Sequence, residues 1–233
     1  MRQHPNAALP ARRPNIRARG AVLLPRFFDR PTARVARALL GCELECRIDG
    51  VRARGRIVEV EAYLGSHDAA SHSAVGLTNR NRHLHGAPGT AYVYRIYGVH
   101  WCVNAVTRET GHGSAVLIRA LAPLEGLDAM EQRRGGVPMR ELTNGPGKLC
   151  QALGITGALD GARLDGEALR LLRGSSIPDA AIVVTPRIGI TQAADWPLRY
   201  LVKDEPNVSR TPRDFARLPL DQANAWLRER RLR

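Results

Sequence analysis

Lysine is almost missing from this chain. Of its 35 basic residues only Lys148 and Lys203 are lysines, and 33 are arginines. Chemistry through an imine needs an amine nucleophile. Lys148 stands in Gly145-Pro146-Gly147-Lys148 at an expected helix start, a setting that suits an anion better than the apolar pocket that activates an amine. Schiff-base chemistry is therefore disfavoured. Cysteine is also scarce. Cys42 and Cys46 are four apart, Cys102 and Cys150 stand alone, and no paired CxxC spacing exists, which argues against a zinc ribbon. Six of the seven histidines fall between His67 and His112, yet none matches a ligand spacing such as HExxH, so neither a metal nor another cofactor is expected. No stretch approaches the ~18 apolar residues of a membrane span. The N-terminal region has arginines but lacks the apolar core of about 7–15 residues that marks a signal peptide. A reducing cytoplasm with free thiols is the expectation.

What is present is a globular composition with a strong charge bias. The 233 residues suit one domain with tails, at the usual ~100–200 residues per domain. Hydrophobic residues make up 44% and charged residues 24%, enough to build a core without disulfides. Asp and Glu total 22, so the formal net charge is +13. Arginine is permanently charged and contacts phosphates in bidentate fashion, so a polyanion is the first partner to consider. Residues 1–24 hold Arg2, Arg12, Arg13, Arg17 and Arg19 and no acid, which reads as a disordered basic arm.

The pattern then predicts a helix capped at Asp29 or Thr32, spaced by Val35, Leu39 and Leu40, and stopped at Gly41. Leu44, Cys46 and Ile48 alternate as a strand, and Asp49-Gly50 signals a hairpin. The partner strand over 54–64 has Val58, Val60, Ala62 and Leu64 on one face, with Ile57, Glu59, Glu61 and Tyr63 on the other. Two strands over 90–107 should meet at a tight turn near Tyr97-Gly98-Val99. Further elements are a strand at 114–121, helices at 123–134 and 146–153, strands at 180–184 and 198–202, and helices capped at Thr211-Pro212 and Asp221. Strands adjoin strands, so an α+β fold with an antiparallel sheet is favoured over a parallel one.

Glu61 is the carboxylate that asks for an explanation. It lies mid-strand, where Glu is depleted, on the same face as Tyr63. A strand can hold a carboxylate rigidly against a cleft, as a general base acting on water requires; a solvent-facing Glu59/Glu61 pair is the plain alternative. Aromatics are only 5% of the chain, yet Tyr63, Tyr92, Tyr94, Tyr97 and Trp101 lie within 39 positions. Such residues stack on bases, wedge into a duplex from a hairpin tip, or simply pack a sheet.

The runs Arg56-Ile57-Val58-Glu59-Val60-Glu61-Ala62-Tyr63-Leu64-Gly65, Ser71-His72-Ser73, Arg80-Asn81-Arg82 and Tyr92-Val93-Tyr94-Arg95-Ile96-Tyr97-Gly98 together resemble the alkyladenine (3-methyladenine) DNA glycosylase family, the mammalian-type class that also has bacterial members. Cys102-Val103-Asn104, the run from Val116 to Gly126, Gly145 to Leu153, Arg187-Ile188-Gly189 and Trp196 to Tyr200 continue the match, in order, over roughly residues 25–205. The resemblance implies a single-domain α+β fold: a curved, mainly antiparallel sheet with surrounding helices and a protruding DNA-inserting β-hairpin. It implies a glycosylase domain at 25–205; the caps at Thr211-Pro212 and Asp221, outside the match, mark a C-terminal helical extension at 206–233. It implies a monofunctional enzyme that flips alkylated or deaminated purines and hydrolyses their N-glycosidic bonds, acting as a monomer on damaged double-stranded DNA in the bacterial cytoplasm, at the nucleoid. Glu61 corresponds to the general base and Arg119 to its partner near the activated water. Tyr63, His72 and Tyr94 enclose the flipped base, Leu117 forms an apolar wall, and Asn104 clashes with the 2-amino group of guanine. Tyr97 corresponds to the wedge that fills the vacated stack, and Arg80, Arg82 and Lys148 are assigned to the DNA backbone. Val99-His100 departs from the mammalian Met and Tyr, leaving a less bulky hairpin tip. A non-catalytic nucleic-acid-binding protein is the alternative, and a histidine-based metal hydrolase a weaker one.

Overall fold

Strand β2 (Val51–Tyr63) organises the sheet. In the computed structural model, which describes residues 19–232, its one edge pairs with β5 (Ser114–Glu125). Its other edge pairs first with β1 (Glu43–Ile48) and then with β8 (Arg199–Val202). The remaining strands are β3 (Ala91–Ile96), β4 (His100–Thr107), β6 (Leu169–Leu172), β7 (Ile182–Thr185) and the short β9 (Leu218–Pro219). They complete an order β3-β4-β5-β2-β8-β7-β9, with β1 and β6 branching from β2. Every pairing is antiparallel. The described residues therefore form one α+β domain with a nine-stranded sheet that does not close into a barrel, and five helices.

Local chemistry sets the hairpins. Asp49 (φ 52°) and Gly50 (φ 76°) turn β1 into β2, and Tyr97 (φ 52°) and Gly98 (φ 70°) turn β3 into β4. Two consecutive left-handed residues are the geometry that matches the twist of paired strands. Asp tolerates that conformation through local hydrogen bonds; Tyr does so at a cost of roughly 1–2 kcal/mol.

One face of the sheet carries the main core. Val35, Ala36 and Leu39 of α2 (Thr32–Leu39) pack with Ile57, Val60 and Ala62 of β2 and with Val116, Ile118 and Leu121 of β5. Leu149 and Leu153 of α4 (Pro146–Leu153) join them, as does Met130 of α3 (Leu127–Arg134). The short α1 (Pro25–Phe28) contributes Phe28, and α5 (Leu220–Glu229) contributes Leu220, Ala223 and Leu227 near β7 and β9.

The alternation along β2 is not continuous. The register against β5 shifts between Ile57 and Glu59 and again between Glu59 and Val60. Val58 on β2 and Arg119 on β5 are left out of the ladder at these two shifts, as in β-bulges that re-aim side chains. Ile57 thus joins Val60, Ala62 and Leu64 in the main core, while Val58 packs with Ala120 and Ala122 in a separate cluster. The expected face assignments of Ile57 and Val58 are reversed, because the inserted residues flip the period of two.

Other expectations also change. The helix expected from Pro123 begins at Leu127, since β5 runs on to Glu125, and Gly126 (φ 78°) breaks the strand where a Cβ would collide with the Arg52 carbonyl. Helix α2 has Pro31 at its N-cap without a side-chain cap; Thr32 instead hydrogen-bonds Thr107 at 2.9 Å. No helix follows Thr211-Pro212, and Asp221 lies inside the first turn of α5. Of the arm expected at 1–24, residues 1–18 lie outside the described residues, whereas Val22 bridges Leu172 and Leu23 is buried.

The bulged β2–β5 pair packs closely: a Cβ on Gly55 would lie 2.8 Å from the Leu121 Cβ. Gly55→Val should lower the unfolding free energy by about 1–3 kcal/mol through overpacking, read as a lower urea midpoint at unchanged slope. A midpoint equal to wild type would contradict this close approach.

Candidate active site

The face opposite the main core carries a single row of residues across five strands. The register aligns Tyr92 on β3 with Asn104 on β4, Leu117 on β5, Glu61 on β2 and Arg199 on β8. Period-two geometry places Tyr94, Cys102, Ala115 and Tyr63 on that same face. All of these except Glu61 and Arg199, which lie beneath it, line a cavity of about 320 Å³, completed by His72, Arg80, Tyr97, Arg119 and the Ile188–Ile190 segment. Pockets for small organic groups start at about this size.

The wall is aromatic. The Tyr92 and Tyr94 rings stack with centroids 5.3 Å apart, and His72 meets Tyr94 edge-on at 4.5 Å. His72 Nδ1 and the Tyr92 hydroxyl lie 2.9 Å apart. Burial and then the Arg80 charge hold the His72 imidazole below its ordinary pKa. Burial also raises the Tyr92 phenol to about 12 and lifts those of Tyr63 and Tyr94 well above their usual value, so these rings stay neutral. Asn104 Nδ2 donates to the Tyr92 carbonyl at 2.9 Å, which fixes the amide in the wall.

Beneath the floor lies a chain of buried charge. Glu61 is fully buried. Its Oε1 accepts the Ile188 N–H at 2.7 Å, and its Oε2 accepts the Tyr63 hydroxyl at 3.0 Å and faces Arg119 Nη1 at 3.2 Å. All three partners line the cavity. Arg119 Nε in turn donates to Glu59 at 2.8 Å. Glu59 also accepts Arg199 Nε at 2.7 Å, the Ser209 N–H at 2.7 Å and the Ser209 hydroxyl at 2.8 Å. Burial opposes ionisation of Glu59, yet Arg119, Arg199 and the Ser209 N–H together hold its pKa below the usual carboxylate value. The Arg119 guanidinium is shifted the other way: burial disfavours its charge, but Glu61 and Glu59 outweigh it.

A second buried ion pair positions this chain. Arg187 makes a bidentate pair with Asp68 at 2.6 and 2.8 Å, donates to the Ala62 carbonyl, and lies over the Tyr63 ring. It pins the segment whose next residue, Ile188, holds Glu61.

The structure therefore brings together Glu61, Arg119, Tyr63, His72, Tyr94, Asn104 and Leu117. Arg80 and Tyr97 sit exposed on the cavity rim. Arg82 is exposed and donates to the Asn79 carbonyl, while Lys148 Nζ donates to Asn144 at 2.8 Å; neither lines the cavity. Sequence reasoning missed the parts played by Glu59, Arg187 and Arg199. Charged side chains inside three strand or strand-flanking runs were the available signal.

The class is that of DNA glycosylases, enzymes of base excision repair that act on N-glycosyl bonds: residues 26–206 match the family model of methylpurine-DNA glycosylases. The chain belongs to that family. It is 52% identical over 187 residues to a protein of Methanoculleus marisnigri, covering 79% of this chain and 96% of the relative. A Chlorobaculum parvum protein is 46% identical over 186 residues, with 79% and 89% covered, and one from Rhodopseudomonas palustris is 50% identical over 193 residues, with 83% and 90% covered. All three carry the provisional name 3-methyladenine DNA glycosylase.

Losing the Glu59 charge strands two buried guanidinium groups. Glu59→Gln should cost about 3–5 kcal/mol at neutral pH. Because the folded-state pKa of Glu59 is lowered, its stabilisation is complete above the unfolded value of about 4.3 and is lost as pH falls through the lower folded value. The melting-temperature gap between wild type and variant should therefore be flat near neutrality and narrow below about pH 4.3. A gap that stays constant into that acid range would contradict the network.

Proposed function

We propose that this enzyme flips a damaged purine into the aromatic cavity and hydrolyses its bond to deoxyribose, leaving an abasic site without cutting the strand. The substrates in this reading are alkylated and deaminated purines of the 3-methyladenine, 7-methylguanine, hypoxanthine and ethenoadenine class. The observation that carries it is Glu61, a carboxylate held by three donors directly under a purine-sized aromatic cavity. A binding module has no use for a carboxylate buried beneath its cavity, which weighs against the non-catalytic alternative.

The chemistry follows from that placement. Breaking the glycosidic bond builds positive charge on the sugar, as in glycoside hydrolysis. Glu61 stabilises that charge and takes the proton of the water whose oxygen bonds to C1′, while the bonding pair leaves with the base. Arg119 keeps the carboxylate aimed. N-alkylated purines already carry charge and leave readily; neutral lesions need a proton from the site. Tyr63, His72 and Tyr94 enclose the base, with Leu117 as an apolar wall. Asn104, tied to the Tyr92 carbonyl, cannot swing away from a 2-amino group, so guanine is excluded by a clash. Arg80, Arg82 and Lys148 contact the phosphate backbone. The glycosylase domain is taken as 25–205, and Ser209 and Thr211 of the following extension complete the charge network at Glu59 and Arg199. The site is complete within one chain, which supports action as a monomer, on the DNA of the bacterial cytoplasm.

Glu61→Gln should abolish base release from methylated duplex while leaving lesion-DNA binding within about tenfold, or ~1.4 kcal/mol. Single-turnover excision within a few-fold of wild type, from a variant shown to be folded, would overturn the assignment.

Tyr97 is 82% exposed at the tip of the β3–β4 hairpin, on the cavity rim. A wedge there stabilises the flipped state by filling the vacated stack, so it acts on the flipping equilibrium rather than on bond breaking. Tyr97→Ala should weaken excision from fully paired duplex much more than from single-stranded or loosely paired substrate. Tyr94→Ala should weaken both alike. Equal losses on the two substrates for Tyr97→Ala would show that it is no wedge.

A further inference from the structure

A second cavity, larger than the first at about 750 Å³, opens on the other side of the sheet. It lies beside α1 and α2, the helices packed on the core face, and shares no lining residue with the aromatic cavity. Five arginines line it: Arg19, Arg26, Arg30, Arg37 and Arg173. No carboxylate does. Arg37 pairs with Asp179, but among the described residues no ion pair joins Arg19, Arg26, Arg30 or Arg173 to an acid. Residues 1–24 contain no Asp or Glu.

Two further observations point to an anionic ligand. Arg30 donates through Nε to the Phe27 carbonyl and lies over the Phe27 ring, yet its Nη2 is buried without a hydrogen-bond partner. Buried polar atoms are rarely left in that state. Burial and then the neighbouring Arg173 charge also hold the Arg30 guanidinium below its ordinary pKa, a strain that a bound anion relieves. The wall opposite is pinned. A Cβ at Gly41 would overlap the Ser175 carbonyl, and one at Gly174 would overlap the Gly41 carbonyl. Backbone bonds from Gly20 N–H to Arg173 O and from Arg173 N–H to Ala21 O fix the same strip. Like charges are thus held together by rigid backbone, with the Ser175 hydroxyl, already bonded to Arg19, among them.

We propose that this cavity is a second binding site, for phosphate-type oxyanions, on the face turned away from the base pocket. Guanidinium forks match tetrahedral oxyanions in bidentate geometry, and four guanidinium groups without an acidic partner around one cavity suit a ligand with several phosphates. The source is either a free polyphosphate or the backbone of a second nucleic-acid segment, whose phosphates present the same chemistry.

The test is calorimetric titration of the full chain with tripolyphosphate, and separately with a short undamaged duplex. Wild type should bind tripolyphosphate, and Arg30→Gln/Arg173→Gln should weaken it roughly tenfold or more, about 1.4 kcal/mol. Base release from a short methylated duplex should stay within about twofold, showing that the variant is folded and that its base pocket is intact. Should Arg30→Gln prevent folding, Arg26→Gln/Arg173→Gln leaves the Phe27 contact in place and carries the same expectation. Loss of tripolyphosphate affinity alone identifies a free anion as the ligand; parallel loss of duplex affinity identifies nucleic acid. Absence of tripolyphosphate binding in wild type, undiminished binding in the double variants, or its abolition by Arg80→Gln on the base-pocket rim would overturn the proposal.

Discussion

Four charged side chains in a line, Glu61, Arg119, Glu59 and Arg199, are removed from water on one face of the sheet, and the rest of the architecture serves to keep them there. Burying an ion costs several kcal/mol, and its partner compensates only when geometry and hydrogen bonds are nearly complete. Here they are: Glu59 collects two guanidinium groups, an N–H and a hydroxyl, and Glu61 collects an N–H, a hydroxyl and a guanidinium. The backbone makes this possible. By dropping Val58 and Arg119 out of the β2–β5 ladder, the two bulges bring an arginine beside two glutamates while the strands continue on either side.

The sheet divides labour between its faces. The core face is apolar and bears the helices; the opposite face bears the polar row from Tyr92 to Arg199. Polar residues gathered on a rigid sheet lose little freedom when substrate arrives, which is the benefit of preorganisation in catalysis. At the edge of that row, in the β3–β4 turn, Tyr97 is held in a left-handed conformation and projects into solvent.

Much of this was legible in the residues. Glu61 stood out as a carboxylate in mid-strand, and the tyrosines at 92 and 94 shared a face by simple parity. The Asp49-Gly50 and Tyr97-Gly98 turns carried their own chemistry. What could not be read was any feature that depends on broken periodicity. Strict alternation sent Ile57 and Val58 to the wrong faces because a bulge leaves no local mark in composition. Glu59 read as a plausible solvent-facing residue because its partners, Arg199 and Ser209, are 140 and 150 positions away. Pro123 suggested a helix start, but the register of β2 carried β5 past it. The roles of Arg187 and Asp68 were likewise hidden by a separation of 119 residues.

The span of those contacts has a consequence for biosynthesis. Glu61 sits in the first third of the chain, yet its Ile188 donor follows it by 127 residues and the Ser209 that closes the network on Glu59 comes later still. During translation the Glu61 carboxylate therefore emerges from the ribosome long before its Ile188 donor, and the Glu59–Glu61 stretch of β2 waits with one edge unpaired until β8 is made. Pairings of such long range form slowly, after local ones. A nascent or prematurely terminated chain that already carries most of its arginines has not yet closed the network around Glu59 and Glu61. The buried charge network is completed only by residues beyond position 187, so the ribosome releases a chain in which it has not been assembled along the way.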